Sequence, residues 1–505
     1  MFQSALDYHN STSYDRHDMK GHYMDWPNQP SVFKEYGGVA QTPLLCPESF
    51  QRKTLVDLCQ GKLTKDQNVT FDYTTLGGLL HLAHAVTAQA KHGGAYFYYR
   101  SVASAGALYP FETYINIMNV DGLQDGLYHH NLAGNVLEKL HDPASADQLK
   151  EHLLLEVGSG CGLVFFLTSI FFRSSWKYRD RAYRYHLLDT GHLLENLTLA
   201  LKYYDLDYQI LFDFDDGRTN RFLNVDPDRE ACLVAVSVNI PTSPAIERSE
   251  EPLGFQQDLS FFSRVSPQEV GYSAINDIHD LTSNKTRQNI FLDSASPDLG
   301  LSLKLSETVH SPQFMNDCLD YPDTVFLRRS SRNFVKKYLS SEDFNSMIRL
   351  VGCACDGDSS SPSHFGVGLG FLVSRVQGMN PGFYFYDDIT ASVYLAKEGD
   401  MLDEMTHICL DQSWLSNCAV HFLLMLNFAE ADSRFGPRGY RRALMASGRL
   451  GQRLYVAATS LRLGCCGIGA FYDSEATRLL GLNNESRLAY LLGVGPTKKR
   501  NPDNP

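Results

Sequence analysis

The apolar run Cys161-Gly-Leu-Val-Phe-Phe-Leu returns 257 positions later as Cys418-Ala-Val-His-Phe-Leu-Leu. At that offset Tyr183-Arg184 meets Tyr440-Arg441, Gly191 meets Gly448, and Leu193 meets Leu450. Leu197, Ala200 and Leu206 meet Leu454, Ala457 and Leu463, and Phe214 and Asp216 meet Phe471 and Asp473. One register held over about 55 residues is the mark of a tandem duplication. Within it, 184–204 and 441–462 carry apolar residues at helical spacing without proline, which predicts a long buried helix in each copy. Each follows an apolar run of strand length and precedes another extended segment. Leu76 to Ala85 and Phe344 to Val351 read as equivalent early helices. Phe111 to Val120 and Gly370 to Val376 read as extended segments, with Gly126-Leu-Tyr matching Gly382-Phe-Tyr after them.

This order predicts an α+β fold, a sheet covered by helices, once per copy. The expected organisation is an N-terminal arm (1–50), copy one (51–240), a linker (241–322) and copy two (323–505). The linker and the arm find no partner in the repeat. Ser243 to Pro252 has the composition of an exposed connection.

Length and charge narrow the functional classes. The 505 residues are 43% apolar, enough for two large cores. A net charge of −13 offers no field for a nucleic-acid backbone or an anionic membrane. Cys161 to Phe172 falls short of the roughly 18 apolar residues that span a bilayer. Met1 to Trp26 has no apolar core of a secretory signal. Eleven cysteines form no zinc-spaced set, and Cys353/Cys355 and Cys465/Cys466 lack matching ligands. These features lead us to expect a cytoplasmic protein with reduced thiols and no metal.

Three segments carry candidate chemistry. Arg328-Arg329-Ser330-Ser331-Arg332 could hold a phosphate by guanidinium forks, although such a run alone is more often solvated surface. Ser101-Val-Ala-Ser-Ala-Gly-Ala-Leu-Tyr-Pro110 has small residues that let backbone approach a flat ring, or simply pack a tight loop under a strand. Gly464-Cys-Cys-Gly-Ile-Gly-Ala-Phe471 has three glycines where a helix stop needs one, so backbone amides there could face a ligand.

Together these motifs resemble the FMN-dependent nitroreductase superfamily. Ser104 to Pro110 and Trp176-Lys-Tyr-Arg-Asp-Arg-Ala-Tyr-Arg184 resemble its SagB/ThcOx-type dehydrogenases. Tyr8-His-Asn-Ser-Thr, Asp25-Trp-Pro-Asn-Gln-Pro and Phe33-Lys resemble the arm of long tandem members. The resemblance implies a three-layer α/β/α fold, with two copies forming a pseudo-dimer inside one chain and FMN at the interface. It implies cofactor contacts from Arg328, Arg329, Ser330 and Arg332, from Ser104, Ala105, Gly106, Ala107 and Leu108, and from Gly467, Ile468 and Gly469. Lys499 and Arg500 near the C-terminus are further candidates for the phosphate, or a solvated tail.

The halves differ in a complementary way. Copy one keeps the small-residue loop, whereas Ser359 to Gly366 of copy two departs from it. Copy two keeps the arginine run, whose counterpart is Gln60-Gly-Lys-Leu-Thr64. Gly467 and Gly469 map onto Ile210 and Phe212, whose bulk blocks close approach, followed by Asp213, Asp215 and Asp216, carboxylates unfavourable beside a phosphate. One FMN per chain is therefore expected. Lys177 and Tyr178 are the catalytic candidates, as the Lys-Tyr dyad of azoline-oxidising relatives implies. A desolvated Lys177 beside Arg179 would titrate low enough to act as a base, the alternative being a polar surface turn. The offset maps the pair onto Arg434-Phe435. His192 and Asn196, His81/His84 and His129/His130 read as structural.

The implied activity is an FMN-dependent oxidoreductase acting on an azoline in a modified peptide or on a small organic acceptor, with NAD(P)H open as a transient donor. A flavin-binding or scaffold subunit of a peptide-modifying complex is the alternative. Higher oligomers stay open.

Overall fold

The computed structural model describes residues 2–19, 21–60, 71–92, 95–158, 160–240, 257–283, 296–308, 318–352 and 362–498. In the arm and copy one the strands are β1 (Ala40–Pro43), β2 (Val86–His92), β3 (Ala95–Arg100), β4 (Phe111–Ile117), β5 (Gly126–Asn131), β6 (Val136–His141), β7 (Cys161–Ile170), β8 (Tyr208–Leu211) and β9 (Glu230–Asn239). They continue as β10 (Lys304–Thr308), β11 (Val367–Val373), β12 (Gly382–Asp387), β13 (Ser392–Glu398), β14 (Val420–Asn427), β15 (Gly464–Ile468) and β16 (Ser486–Gly495). One seven-stranded sheet has the order β1-β6-β5-β4-β7-β9-β8, and the other the order β10-β13-β12-β11-β14-β16-β15. The same arrangement is thus built twice, and β2 and β3 form a separate hairpin.

The unbroken apolar runs are explained by burial on both faces of each sheet. Along β7, Leu163, Phe165 and Leu167 enter the core shared by the two copies, while Val164 and Phe166 enter an outer core. Along β14, Phe422, Leu424 and Leu426 face the shared core, while Leu423 and Met425 face the outer one. The helices Ala146–Leu153 and Asp216–Phe222 contribute to the outer core of the first sheet, and Leu402–Ile408 and Asp473–Leu480 to that of the second.

Between the sheets lie two central helices of 22 residues each, Ala182–Tyr203 and Gly439–Ser460. Nearly every residue of both is buried, because each packs on its own sheet and on the other helix. A two-sided amphipathic stripe would not serve there, so the polar residues they carry must find partners inside.

The repeat reaches further than the sequence pattern indicated. The linker range supplies β10, which takes the edge position that β1 of the arm takes in the first sheet. It also holds the helix Ser273–Leu281, the counterpart of Ala5–Ser11 in the arm. Arg184 donates to the His9 carbonyl and, at 2.9 Å, to Thr12 Oγ1. Arg441 repeats this with the His279 carbonyl at 2.7 Å and Thr282 Oγ1 at 2.7 Å. The expectation of a partnerless linker is corrected: His9-x-x-Thr-Ser13 recurs as His279-x-x-Thr-Ser283, at an offset different from that of the main repeat.

Candidate active site

The short helix Tyr321–Leu327 delivers the arginine run to the edge of β15, where the Ser331 amide donates to the Cys465 carbonyl at 2.9 Å. Arg328 is buried and crosses into copy one. Its Nε donates to the Ser101 carbonyl at 2.9 Å and its Nη2 to the Arg100 carbonyl at 2.7 Å. Its Nη1 is buried without a hydrogen-bond partner, an arrangement that costs more for a charged group than for a neutral one. Arg329 donates to Thr87 Oγ1 at 3.1 Å and to the Phe326 carbonyl at 2.9 Å. Ser330 Oγ lies 2.9 Å from the Tyr455 hydroxyl. Arg332 is exposed, 6.0 Å from the Trp414 ring. The Lys498 amide donates to the Asn333 carbonyl at 3.0 Å, beside the run. Lys499 and Arg500 lie outside the described residues.

The small-residue loop approaches from copy one. Gly106, Ala107 and Tyr109 have φ of +65°, +54° and +45°. Such a run of left-handed conformations is seldom populated without support from its surroundings. Support comes from Ser104 and Ala105, which bond to Asp189 of the first central helix. Leu108 packs with Phe172 and Trp176.

The helix Phe171–Tyr178 lays Lys177 and Tyr178 over this loop. A Cβ on Gly106 would stand 2.8 Å from the Tyr178 hydroxyl and 3.1 Å from Lys177 Nζ, so glycine is required by close approach as well as by φ. The helix ends on Arg179 at φ +51°, ψ −136°, where copy two has Gly436. A residue with a side chain in that region stores roughly 1–3 kcal/mol of strain. The arm straps the helix down: Trp176 Nε1 donates to the Asp25 carbonyl at 2.8 Å, and His22 Nε2 lies 3.1 Å from the Lys177 carbonyl.

Burial pulls the Lys177 ammonium below its ordinary pKa, and the Arg332 guanidinium adds to the effect. The depressing cation is therefore an arginine of copy two, in place of the expected Arg179. Burial likewise pushes the Tyr178 phenol up, with the neighbouring Tyr185 ring 4.4 Å away. The alternative of a polar surface turn does not hold for Arg181 and Arg184. Arg181 and Arg184 are buried and clamp Asp473 at 2.8 and 2.6 Å. Burial alone would raise the Asp473 carboxyl, but the two guanidiniums outweigh it and hold it below the usual range.

Gly467 and Ile468 belong to strand β15 and Gly469 follows it. The expected free amide at Gly467 is already used, donating to the Tyr455 hydroxyl at 2.7 Å. Its missing side chain makes room for Tyr490, whose hydroxyl would be 1.9 Å from a Cβ. Gly469 turns its carbonyl to Arg181 at 3.0 Å and to the Tyr185 hydroxyl at 3.1 Å. The structure thus brings the arginine run, the small-residue loop, the Lys177–Tyr178 pair and the glycine strand together across the copy interface.

Asp189, Tyr185, Tyr455 and Tyr490 were not singled out from sequence. Asp189 had a usable signal, a carboxylate facing Ala446 in the repeat register; the tyrosines had none, since each packs through tertiary contacts.

The pseudo-symmetric position is filled. Phe212 lies 5.6 Å and Phe435 lies 5.5 Å from Phe365, and Arg442 caps the Phe435 ring at 4.4 Å. Arg434 donates to the Ser363 carbonyl at 2.6 Å and to Glu430 at 2.9 Å. Here too the acidic residues are accounted for differently than expected. Asp216 is the twin of Asp473, held by Arg438 and Arg441 at 2.6 and 2.5 Å, and Asp213 pairs with Arg442 at 2.5 Å. Bulk, not negative charge, occupies this position. The counterparts of the arginine run at 61–64 lie outside the described residues.

The nitroreductase family model matches residues 75–238 and again 326–496. The chain belongs to the nitroreductase family. Its two family domains are fused in one chain as a pseudo-dimer. The crystal structure of a candidate nitroreductase from Anabaena variabilis superposes with a TM-score of 0.78 and 25% identity, covering 98% of this chain and 100% of that one. The candidate nitroreductase MJ1384 of Methanocaldococcus jannaschii is 26% identical over 178 residues, 34% of this chain and 89% of that protein. The trifolitoxin-processing protein TfxB of Rhizobium leguminosarum bv. trifolii is 28% identical over 146 residues, 28% of this chain and 39% of TfxB. As a nitroreductase-family member the chain is oxidoreductase-like. Among the described residues no helix is long and apolar enough to cross a membrane.

Proposed function

We propose that the chain is an FMN-dependent oxidoreductase of the SagB/ThcOx type with one flavin site, built jointly by the two copies. The observation that carries this reading is Arg328, a buried guanidinium tied to copy one by two bonds and left with one unpartnered nitrogen. An anionic ester is the ligand chemistry that suits such a donor. Gly106 beneath Lys177 and Tyr178 offers a cradle that a Cβ would fill. The residues present therefore fit FMN: Arg328, Arg329, Ser330 and Arg332 on the phosphate side, and Ser104–Leu108 with Ile468 and Gly469 on the ring side. Bound FMN supplies two-electron redox chemistry.

The protein's own residues supply orientation and proton handling. Lys177, whose pKa burial and Arg332 pull below that of an ordinary lysine, is the group that takes a proton from substrate. Tyr178, raised by burial, stays protonated and donates. The helix Phe171–Tyr178, tied down by the arm through Trp176, holds both side chains over the loop. Similarity to a trifolitoxin-processing protein favours a modified-peptide substrate over a small acceptor, with NAD(P)H as an alternative electron donor. We place the protein in the cytoplasm, where its thiols stay reduced.

The visible spectrum of the purified protein tests the reading. Yellow protein, or apoprotein reconstituted with FMN, is expected at one flavin per chain. A colourless protein that takes up no FMN refutes it and leaves the scaffold alternative, and a ratio near two refutes the single site.

A further inference from the structure

Asp189 stands in the middle of the first central helix, buried beneath the small-residue loop. The Tyr109 amide donates to Ser104 Oγ at 2.9 Å, and the Ser104 hydroxyl donates to Asp189 Oδ2 at 2.6 Å. The Ala105 amide lies 3.2 and 3.1 Å from the two carboxyl oxygens. A carboxylate only accepts, so every bond in this chain runs toward Asp189. The loop so held contains Ala107 and Tyr109, which carry side chains at positive φ and need outside support to stay there. On its other side the loop touches Lys177 and Tyr178 through Gly106.

The groups around Asp189 leave its charge uncompensated. Tyr178, from the helix above, and Tyr490, from β16, face it, and both phenols are pushed up by burial first and by Asp189 among their neighbours. On its own helix, His186 bonds Ser169 at 2.9 Å and His192 bonds Gln452 at 2.9 Å. Burial lowers these imidazoles to about 3 and about 4, so both are neutral. Tyr185 turns to Tyr178 and to Gly469. Lys177 and Arg332 act on one another, but neither is among the charges acting on Asp189. Burial is the largest influence on the Asp189 carboxyl; the Ser104 and Ala105 bonds offset it only in part, leaving it pushed up to about 7. At the filled position the counterpart is Ala446, so the carboxyl goes with the retained site.

We propose that Asp189 is a positioning residue whose carboxylate holds Ser104–Leu108 in the shape that the cofactor and the Lys177–Tyr178 pair dock against. Proton uptake by Asp189 reverses or breaks the Ser104 bond and loosens the loop. The inference rests on the flavin reading above, and it makes the site sensitive to pH near neutrality. It also predicts a stability cost. Because the folded pKa lies above that of an unfolded aspartate, this group's contribution is fully present below about pH 4 and is lost as pH rises to about 7.

The test titrates apoprotein with FMN across pH and follows apoprotein unfolding over the same range. Wild type should lose affinity on the order of tenfold between about pH 8 and about pH 6. Asp189→Asn, which mimics the neutral acid and cannot titrate, should bind FMN at about pH 8 roughly tenfold more weakly than wild type, as wild type does at about pH 6, and should lose this pH dependence of binding together with the part of the unfolding profile between about pH 4 and about pH 7. Ser104→Ala should weaken FMN at about pH 8 by several-fold, and its mild truncation keeps the test open if an Asp189 variant fails to fold. Wild-type pH profiles in Asp189→Asn, or wild-type FMN affinity in Ser104→Ala, overturn the proposal. If wild type binds no FMN at any pH, the flavin reading fails instead, and the unfolding profile still decides whether Asp189 titrates near neutrality.

Discussion

Gly191 and Gly448, one from each central helix, touch where the helices cross: a Cβ on either would stand 3.0 Å from the other's Cα. It would also fall 2.2 Å from the Met445 carbonyl oxygen or 2.1 Å from that of Leu188. Backbone cannot move aside as a flexible side chain can, so the contact fixes how closely the copies approach. We expect Gly191→Ala to destabilise the fold by about 1–3 kcal/mol or more through overpacking, read from denaturant midpoints. Gly271→Ala, with open space around its position, should leave the midpoint unchanged.

The twin clusters at Asp473 and Asp216 separate stability from function. Removing either buried carboxylate strands two arginines and should cost about 3–5 kcal/mol. Only Asp473→Asn should also weaken FMN, since Arg181 holds both Asp473 and the Gly469 carbonyl. Equal FMN affinities in Asp473→Asn and Asp216→Asn would count against the assigned site.

Arg328→Lys keeps the charge and loses the fork that spans the Ser101 and Arg100 carbonyls. FMN affinity should fall on the order of tenfold or more, with the circular dichroism spectrum retained. Full affinity in this variant would remove Arg328 from the site.

Lys177→Ala should slow substrate-driven flavin reduction on the order of a hundredfold while leaving the FMN dissociation constant within about threefold. Because burial and Arg332 lower the Lys177 pKa, the neutral base forms below the pH at which an ordinary lysine deprotonates. The wild-type rate should therefore rise with pH through a value under about 10.5, and Arg332→Ala should move that inflection upward. A rate unchanged in Lys177→Ala sinks the base assignment.

Phe212→Gly opens the filled position without restoring an arginine run there. Titration should still end at one FMN per chain.

The hydrophobic pattern determined the duplication, the two long helices and the central strands, because burial on both faces leaves uninterrupted apolar runs that a single offset aligns. Composition picked out the arginine run, the small-residue loop and the Lys177–Tyr178 pair as chemically unusual. Tertiary structure decided what each of them touches. The arm and linker repeat was hidden because its His-x-x-Thr-Ser motif is short and sits at a different offset. The roles of Arg181 and Arg184 were hidden because their partner, Asp473, lies in the other copy. The repeat register marks Asp189 as a carboxylate opposite Ala446, but only the folded loop shows what it holds. Periodicity records which residues avoid water, whereas the identity of a buried charge's partner depends on chain segments hundreds of residues apart.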